Sequence, residues 1–315
     1  MMLRRTPLTL MAVGCLTGIL LANPHTRAWT MDWFQPGDKA TAIAKNLREA
    51  ARHQAHADFH LKLATSGNRQ QTQAALRSNN AWLHREEALA LAEEQFTARM
   101  DAFVLLEAAT WDPIILADDY ESSVTNPYFP LVPGRTMVYE RDSSEGVERV
   151  EITTLQRTLE VEGVTCRVVR EYETLDGVLT EDTYNWFAQH QHGAVWYFGE
   201  SVLHYLDGFL ENLDGSWRSG HKGARPGKLM TAVPQVGHTY RQEYALGISE
   251  DLAQVLSIGN TVTVPAGTFT DCVEIVEYTP LDPQDVVAKY YAPGYGMVLE
   301  IDLTDGERLE LLEVR

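Results

Sequence analysis

A chain of 315 residues that is 44% hydrophobic and 22% charged can bury a real core, as one large domain or two ordinary ones, and its composition excludes global disorder. Lysine and arginine number 26 against 44 acids, a formal charge of −18 at neutral pH. Such an acidic surface repels phosphate backbones and anionic bilayers, so nucleic acid is not an expected partner.

The opening "MMLRRTPLTLMAVGCLTGILLANPHTRAWT" has a basic front at Arg4 and Arg5, an apolar stretch over 8–22 and small residues before a cleavage point after Ala28. This three-part pattern predicts a secretory signal peptide over 1–28 and a periplasmic or secreted protein. Two other leaders compete with it. "AVGC", ending at Cys15, resembles a lipoprotein site that would leave the chain lipid-anchored, and the arginine pair faintly resembles a twin-arginine signal. The apolar run continues past Cys15 and the twin-arginine surroundings are missing, which favours ordinary cleavage. The run is short for a membrane span and no later segment offers one. Cleavage removes three arginines and no acid, moving the charge from −18 to −21.

From about 38 to 110 the chain is alanine-rich and nearly free of glycine, which predicts a helical hairpin region within 29–112. "TSGNRQ" at 65–70 is the natural break, and "RSNN" at 77–80 suggests a further interruption. In the second arm Leu89, Phe96, Met100 and Phe103 form an apolar stripe, and Asp112 with Pro113 ends the helical part.

Beyond Asn126 the period becomes two. "TMVYE", "VERVEITTL", "TCRVVREYETL", "VWYFGE", "NTVTVP", "CVEIVEY" and "MVLEIDL" read as strands. Asp-Gly pairs at 176–177, 207–208, 214–215 and 305–306 supply hairpin turns. "SEDLAQVL" at 249–256, a serine followed by acids, reads as one short helix. The expected fold is α+β: an N-terminal helical hairpin, then an antiparallel β domain over 113–315, barrel-like or a sandwich.

A series of motifs runs through that domain in order: "NPYFPLVPGRTMVYE" at 126–140, "EDTYNWFAQ" at 181–189, "VWYFGE" at 195–200, "GSW" at 215–217, "VGHTYRQEY" at 236–244, "VTVPAGTF" at 262–269 and "YYAPGYGMVLE" at 290–300. The series resembles a group of uncharacterised bacterial exported or lipid-anchored β-rich proteins, relatives of those labelled TapB-like. The resemblance covers roughly 126–303 and implies an antiparallel β domain outside the cytoplasm. It implies no established activity. Pro127, Pro130 and Pro133 with Gly134 suit an architectural clip without any function.

Candidate chemistry begins with "EAARHQAHADFH" at 49–60, where Glu49, His53, His56 and His60 share one helical face. Imidazole with carboxylate is a common zinc or copper ligand set, and His84 with Glu87 could add to it from the other arm. Lys45 and Arg52 lie one turn before Glu49 and His56, and one straight helix cannot wrap four ligands around an ion. A solvated face pairing with the acidic second arm explains the same residues. His190 and His192 have metal-pair spacing but sit beside a glycine that suggests a hairpin tip. Cys166 and Cys272 can form a disulfide if their strands are neighbours, or remain two buried thiols.

The best pocket candidates are the polar and aromatic residues of the motifs: Tyr184, Trp186, Trp196, Tyr197, Glu200, Tyr240, Arg241 and Glu243. Tyr184 and Trp186 share a strand face, as do Arg241 and Glu243, so a barrel could be lined by aromatics and an arginine–carboxylate pair. A packed core with one satisfied ion pair reads equally well. Glu181, Glu200, Glu243, Glu250 and Asp251 offer carboxylates for glycoside hydrolysis, but no nucleophile elbow, zinc helix or P-loop is present. The sequence therefore points to a non-catalytic binding or structural module of the cell envelope, with a small-molecule or protein partner and no cofactor named. Metal capture and a carboxylate hydrolase are the alternatives.

Overall fold

The computed structural model describes residues 38–66, 71–106 and 110–315. The leader expected over 1–28, with Cys15, lies outside the described residues, as does most of the break expected at 65–70. The chain divides into two compact units, Met1–Thr110 and Trp111–Arg315.

In the first unit α1 (Asp38–Ser66) and α2 (Gln71–Leu105) form an antiparallel pair. Alanines at 40 and 44 let Phe96, Met100 and Phe103 of the expected stripe approach closely. Arg48 and Arg52 both reach Glu93, at 3.2 and 3.0 Å. The interruption expected at 77–80 is absent, because α2 runs straight through it. Serine and asparagine cost a helix only a few tenths of a kcal/mol each, and Ala81, 2% exposed, is anchored just beyond them.

In the second unit the described strands are β1 (Tyr120–Glu121), β2 (Thr136–Ser143), β3 (Gly146–Val161), β4 (Val164–Leu175), β5 (Val178–His190), β6 (Val195–Ser201), β7 (His204–Leu206), β8 (Phe209–Asn212) and β9 (Trp217–Arg218). They continue as β10 (Arg225–Met230), β11 (Thr239–Arg241), β12 (Glu243–Tyr244), β13 (Leu252–Val264), β14 (Gly267–Thr279), β15 (Asp282–Ala292), β16 (Gly296–Asp302) and β17 (Arg308–Val314). All pair antiparallel, in one nearly closed barrel. From β13 the order runs through β14, β15, β16 and β17 to β2, then β3, β4, β5, β6 and β10.

Closure falls to six residues. Within 239–244, β11 pairs with β13 while β12 pairs with β10, so one short segment joins the two ends of the sheet. It crosses β10 at Gly227, where a Cβ would lie 2.2 Å from the Gln242 carbonyl oxygen. Only glycine fits so close a backbone approach.

The turns follow local chemistry. Asp176–Gly177 and Asp207–Gly208 have φ of 50 and 79° and of 52 and 79°, the paired positive values that a two-residue hairpin turn demands. The opening motif is tied to the closing one: the Pro127 carbonyl accepts from Gly294 N at 2.7 Å, and the Arg135 guanidinium donates to the carbonyls of Gly294, Tyr295 and Pro130. The helix expected at 249–256 is instead the start of β13, where Leu252, Ala253 and Val255 are buried against β14. Burial on the sheet outweighs the weak capping signal of Ser249.

The closing segment makes a direct test possible. Gly227→Ala forces a methyl group into the Gln242 carbonyl, so urea denaturation is expected to show a loss of about 1–3 kcal/mol. An unchanged midpoint would mean that this crossing does not hold the barrel shut.

Candidate functional site

Residues directly opposite in an antiparallel ladder share a face, so register alone locates the inner wall. Glu173 of β4 lies between Val150 of β3 and Glu181 of β5, and Glu171 lies between Ile152 and Thr183. Asn185 is opposite Glu200, and Phe187 is opposite Tyr197. Val169, Phe187 and Tyr197 belong to the main apolar cluster with Met230, Val255 and Ile275. The acids of β4, β5 and β6 therefore continue the same inward face as the core.

Four of these carboxylates are buried: Glu181 is 1% exposed, Glu243 6%, and Glu173 and Glu200 9%. Glu171 and Asp251 are half-buried beside them. Their hydrogen bonds come from neutral groups. Tyr197 OH donates to Glu200 Oε2 at 2.9 Å and also contacts Asn185. Thr183 donates to Glu181 at 2.7 Å, and Ser249 donates to Glu243. Glu181 Oε2 accepts no hydrogen bond, with His204 Nδ1 3.3 Å away.

The buried cations sit elsewhere on the wall. Lys289 Nζ is 2.7 Å from Glu277 and 3.6 Å from Glu300; Arg141 bridges Glu300 at 2.9 Å and Glu148 at 3.1 Å. Glu277 also accepts from Gln242 and Tyr291. No ion pair to a lysine or arginine is found for Glu171, Glu173, Glu181, Glu200, Glu243 or Asp251 among the described residues.

The titration behaviour follows from this division. Burial, then the neighbouring Glu181 and Asp251, pushes Glu200 up from 4.5 to about 7. Burial, with the Glu277 charge adding to it, takes Asp251 from 3.8 to about 6. Burial raises Glu173 and Glu243 well above the usual carboxylate range, reinforced by Glu181 on the first and by Asp251 and Glu200 on the second. Lys289 shows the opposite balance: burial opposes its charge, but Glu277 and Glu300 outweigh burial and hold it protonated.

Tyr197, Glu200, Tyr240 and Glu243 of the pocket candidates come together on the inner wall. Tyr184, Trp186 and Trp196 alternate with inward residues and lie on the outer layer, where they meet cations. Arg157 is 4.9 Å from the Tyr184 ring, Arg218 is 5.9 Å from Trp186, and Lys228 is 5.5 Å from Trp196. Arg241 and Glu243 do not pair. The amides of Gln242 and Glu243 both donate to the Asp251 carbonyl, a bulge that breaks the alternation. Arg241 turns to Tyr244, 5.0 Å from its ring, within reach of the Glu250 charge. Glu171, Glu173, Glu277 and Lys289 went unnoticed in the sequence, where acids are too frequent to stand out.

The histidine face of α1 is half-occupied by arginines. Arg85 Nε donates to His56 Nδ1 at 3.2 Å and Arg48 lies 3.5 Å from Glu49, while His60 packs edge-on against Phe59. His53 is exposed, and His84 is 3.5 Å from Glu87. Among the described residues no group of three or more His, Cys, Asp or Glu side chains is placed to hold a metal ion. His190 and His192 flank the turn after β5, with rings 4.8 Å apart. Cys166 and Cys272 are free, buried thiols in separate apolar clusters, and their strands β4 and β14 are not neighbours.

No family model matches the chain, and no curated protein is similar to it. Among solved structures, a "putative lipoprotein" from Parabacteroides distasonis is 12% identical, covering 60% of this chain and 98% of that one, with a TM-score of 0.33. A likeness at that level carries neither fold nor activity across. Among the described residues no helix is long and apolar enough to cross a membrane.

The raised carboxylates set the sign of the pH dependence. Between about 4.5 and about 7 the folded state keeps a proton on Glu200 that the unfolded chain has released, so stability falls as pH rises through that window. Glu200→Gln keeps an oxygen for Tyr197 and removes the charge. In thermal denaturation the variant is expected to match wild type below the window and to exceed it above pH 7. A wild type more stable than the variant in alkaline buffer would contradict an uncompensated buried charge.

Proposed function

We propose that this protein is an exported, non-catalytic binding module of the bacterial cell envelope, and that the inner wall of its barrel is the binding element. The observation that carries this reading is the set of buried carboxylates without lysine or arginine partners, of which only Glu181 has a histidine within reach. A fold that needed only a filled core would place apolar side chains there, because an unpaired buried charge costs several kcal/mol. Such a wall is useful when something else neutralises it. Membrane export is supported by the leader-like first 28 residues, and an envelope location by the ordered motifs that resemble the TapB-like group.

A carboxylate hydrolase is the second reading. It is favoured by Glu200, which keeps a proton near neutral pH beside Glu243 and Asp251, as a general acid would. Turnover of a glycoside or ester panel that disappears in Glu200→Gln would establish it, and a silent panel would leave binding as the better account.

The binding reading is tested by native mass spectrometry of mature protein purified from its own envelope, measured again after denaturation. An added mass that is lost on unfolding is expected. A bare mass, together with failure of the purified protein to shift its melting temperature with any envelope small-molecule extract, would remove the binding role.

A further inference from the structure

The acid cluster narrows the chemistry of what the barrel can hold, and this inference rests on the reading of the barrel as a binding module. Three observations converge. First, Glu181, Glu200 and Glu243 are buried acceptors with no lysine or arginine in contact, and Glu181 Oε2 accepts no hydrogen bond, with only the His204 imidazole 3.3 Å from it. Burial keeps protons on Glu200 and Glu243, and a cation that brings N–H donors of its own replaces those protons, which leave to solvent.

Second, a compact metal ion does not suit the spacing. No three ligating side chains among the described residues are placed around one point, whereas an organic molecule that carries hydroxyls beside its ammonium reaches carboxylates that stand apart. Third, the cluster has an aromatic wall with an unused donor. Trp217 is opposite Glu200 in the ladder between β6 and β9, and its ring meets Tyr197 edge-on at 5.5 Å. It is 5% exposed, yet its Nε1–H reaches no acceptor. An indole N–H buried beside carboxylates and bonded to none of them calls for an oxygen from outside the protein. Aromatic faces beside the acids also favour an ammonium over a neutral group.

We propose that the acid cluster of the barrel binds a small hydroxylated organic cation, a protonated amine that also carries an oxygen acceptor. Glu200 takes its ammonium N–H donors, Glu243 and Glu181 accept from its hydroxyls, Tyr197 and Trp217 pack on its carbon skeleton, and Trp217 Nε1 donates to its oxygen. Amino sugars and amino alcohols have this chemistry. Diamines satisfy the acids but not the indole, and neutral sugars satisfy the indole but not the acids.

Titration calorimetry of the mature protein separates these cases, with glucosamine and ethanolamine as probes, glucose as the uncharged control and putrescine as the oxygen-free one. Glucosamine or ethanolamine is expected to bind at least about tenfold more tightly than glucose. Glu200→Gln is expected to weaken that binding by about tenfold while leaving the protein folded and no less stable. A loss of affinity in this variant is then not a loss of structure. Trp217→Phe keeps the aromatic wall and is expected to weaken the hydroxylated amines while leaving putrescine unchanged. Equal binding of glucose and glucosamine, or a co-purified ligand without an amine, would overturn the cation assignment and leave the binding module standing. No probe bound and no mass co-purified would remove both.

Discussion

Everything in the barrel depends on the closure made by residues 239–244. An open antiparallel sheet has two edges and a continuous hydrophobic face, and it can be neither dry inside nor safe from edge-to-edge pairing. Here one segment gives its first half to β13 and its second half to β10. The change of partner forces the double donation to the Asp251 carbonyl, and that bulge in turn moves Glu243 to the inside. The glycine at 227 and the acid at 243 are thus two consequences of one crossing.

Closure also creates the electrostatic problem. Once the ring is complete, the acids of β4, β5 and β6 look inward at each other across a medium of low polarizability, Lys289 and Arg141 are committed to Glu277, Glu300 and Glu148, and Arg241 turns to Tyr244. The wall is therefore divided into a neutralised half and an uncompensated half. Apolar residues such as Met230, Val255 and Ile275 hold the rest of the interior, and their burial is what allows the fold to carry the charge.

How far this could be read in the sequence depends on the kind of signal. Turns were legible because Asp-Gly chemistry is local, and the strands in β2, β3, β4, β6, β14 and β16 because period-two runs are local too. Residues 249–256 misled because a serine followed by acids carries a capping signal whether or not the chain goes on to bury Leu252 and Val255 against a partner strand. The run through α2 at 77–80 was decided by packing with α1. The inward acids were the least legible. In "REYETL" acid and aromatic residues alternate, and nothing in that alternation says which set faces in. Tyr172 faces out with Arg170 lying 4.7 Å from its ring, while Glu171 and Glu173 face in. Only the register with Ile152 and Val150 decides it, and register belongs to the whole sheet.

The last strand has a bearing on how the molecule is made. β17 pairs with β2, and Arg315 exchanges backbone hydrogen bonds with Thr136 at 2.8 and 3.0 Å. The first long strand of the barrel thus finds one of its two neighbours only in β17, with all the other long strands lying between them in sequence. During synthesis, the β2–β3 hairpin emerges early and must wait, with one edge open, until β17 has followed. The β17–β2 pairing is a late and long-range event, slow by the usual relation between contact distance along the chain and folding rate.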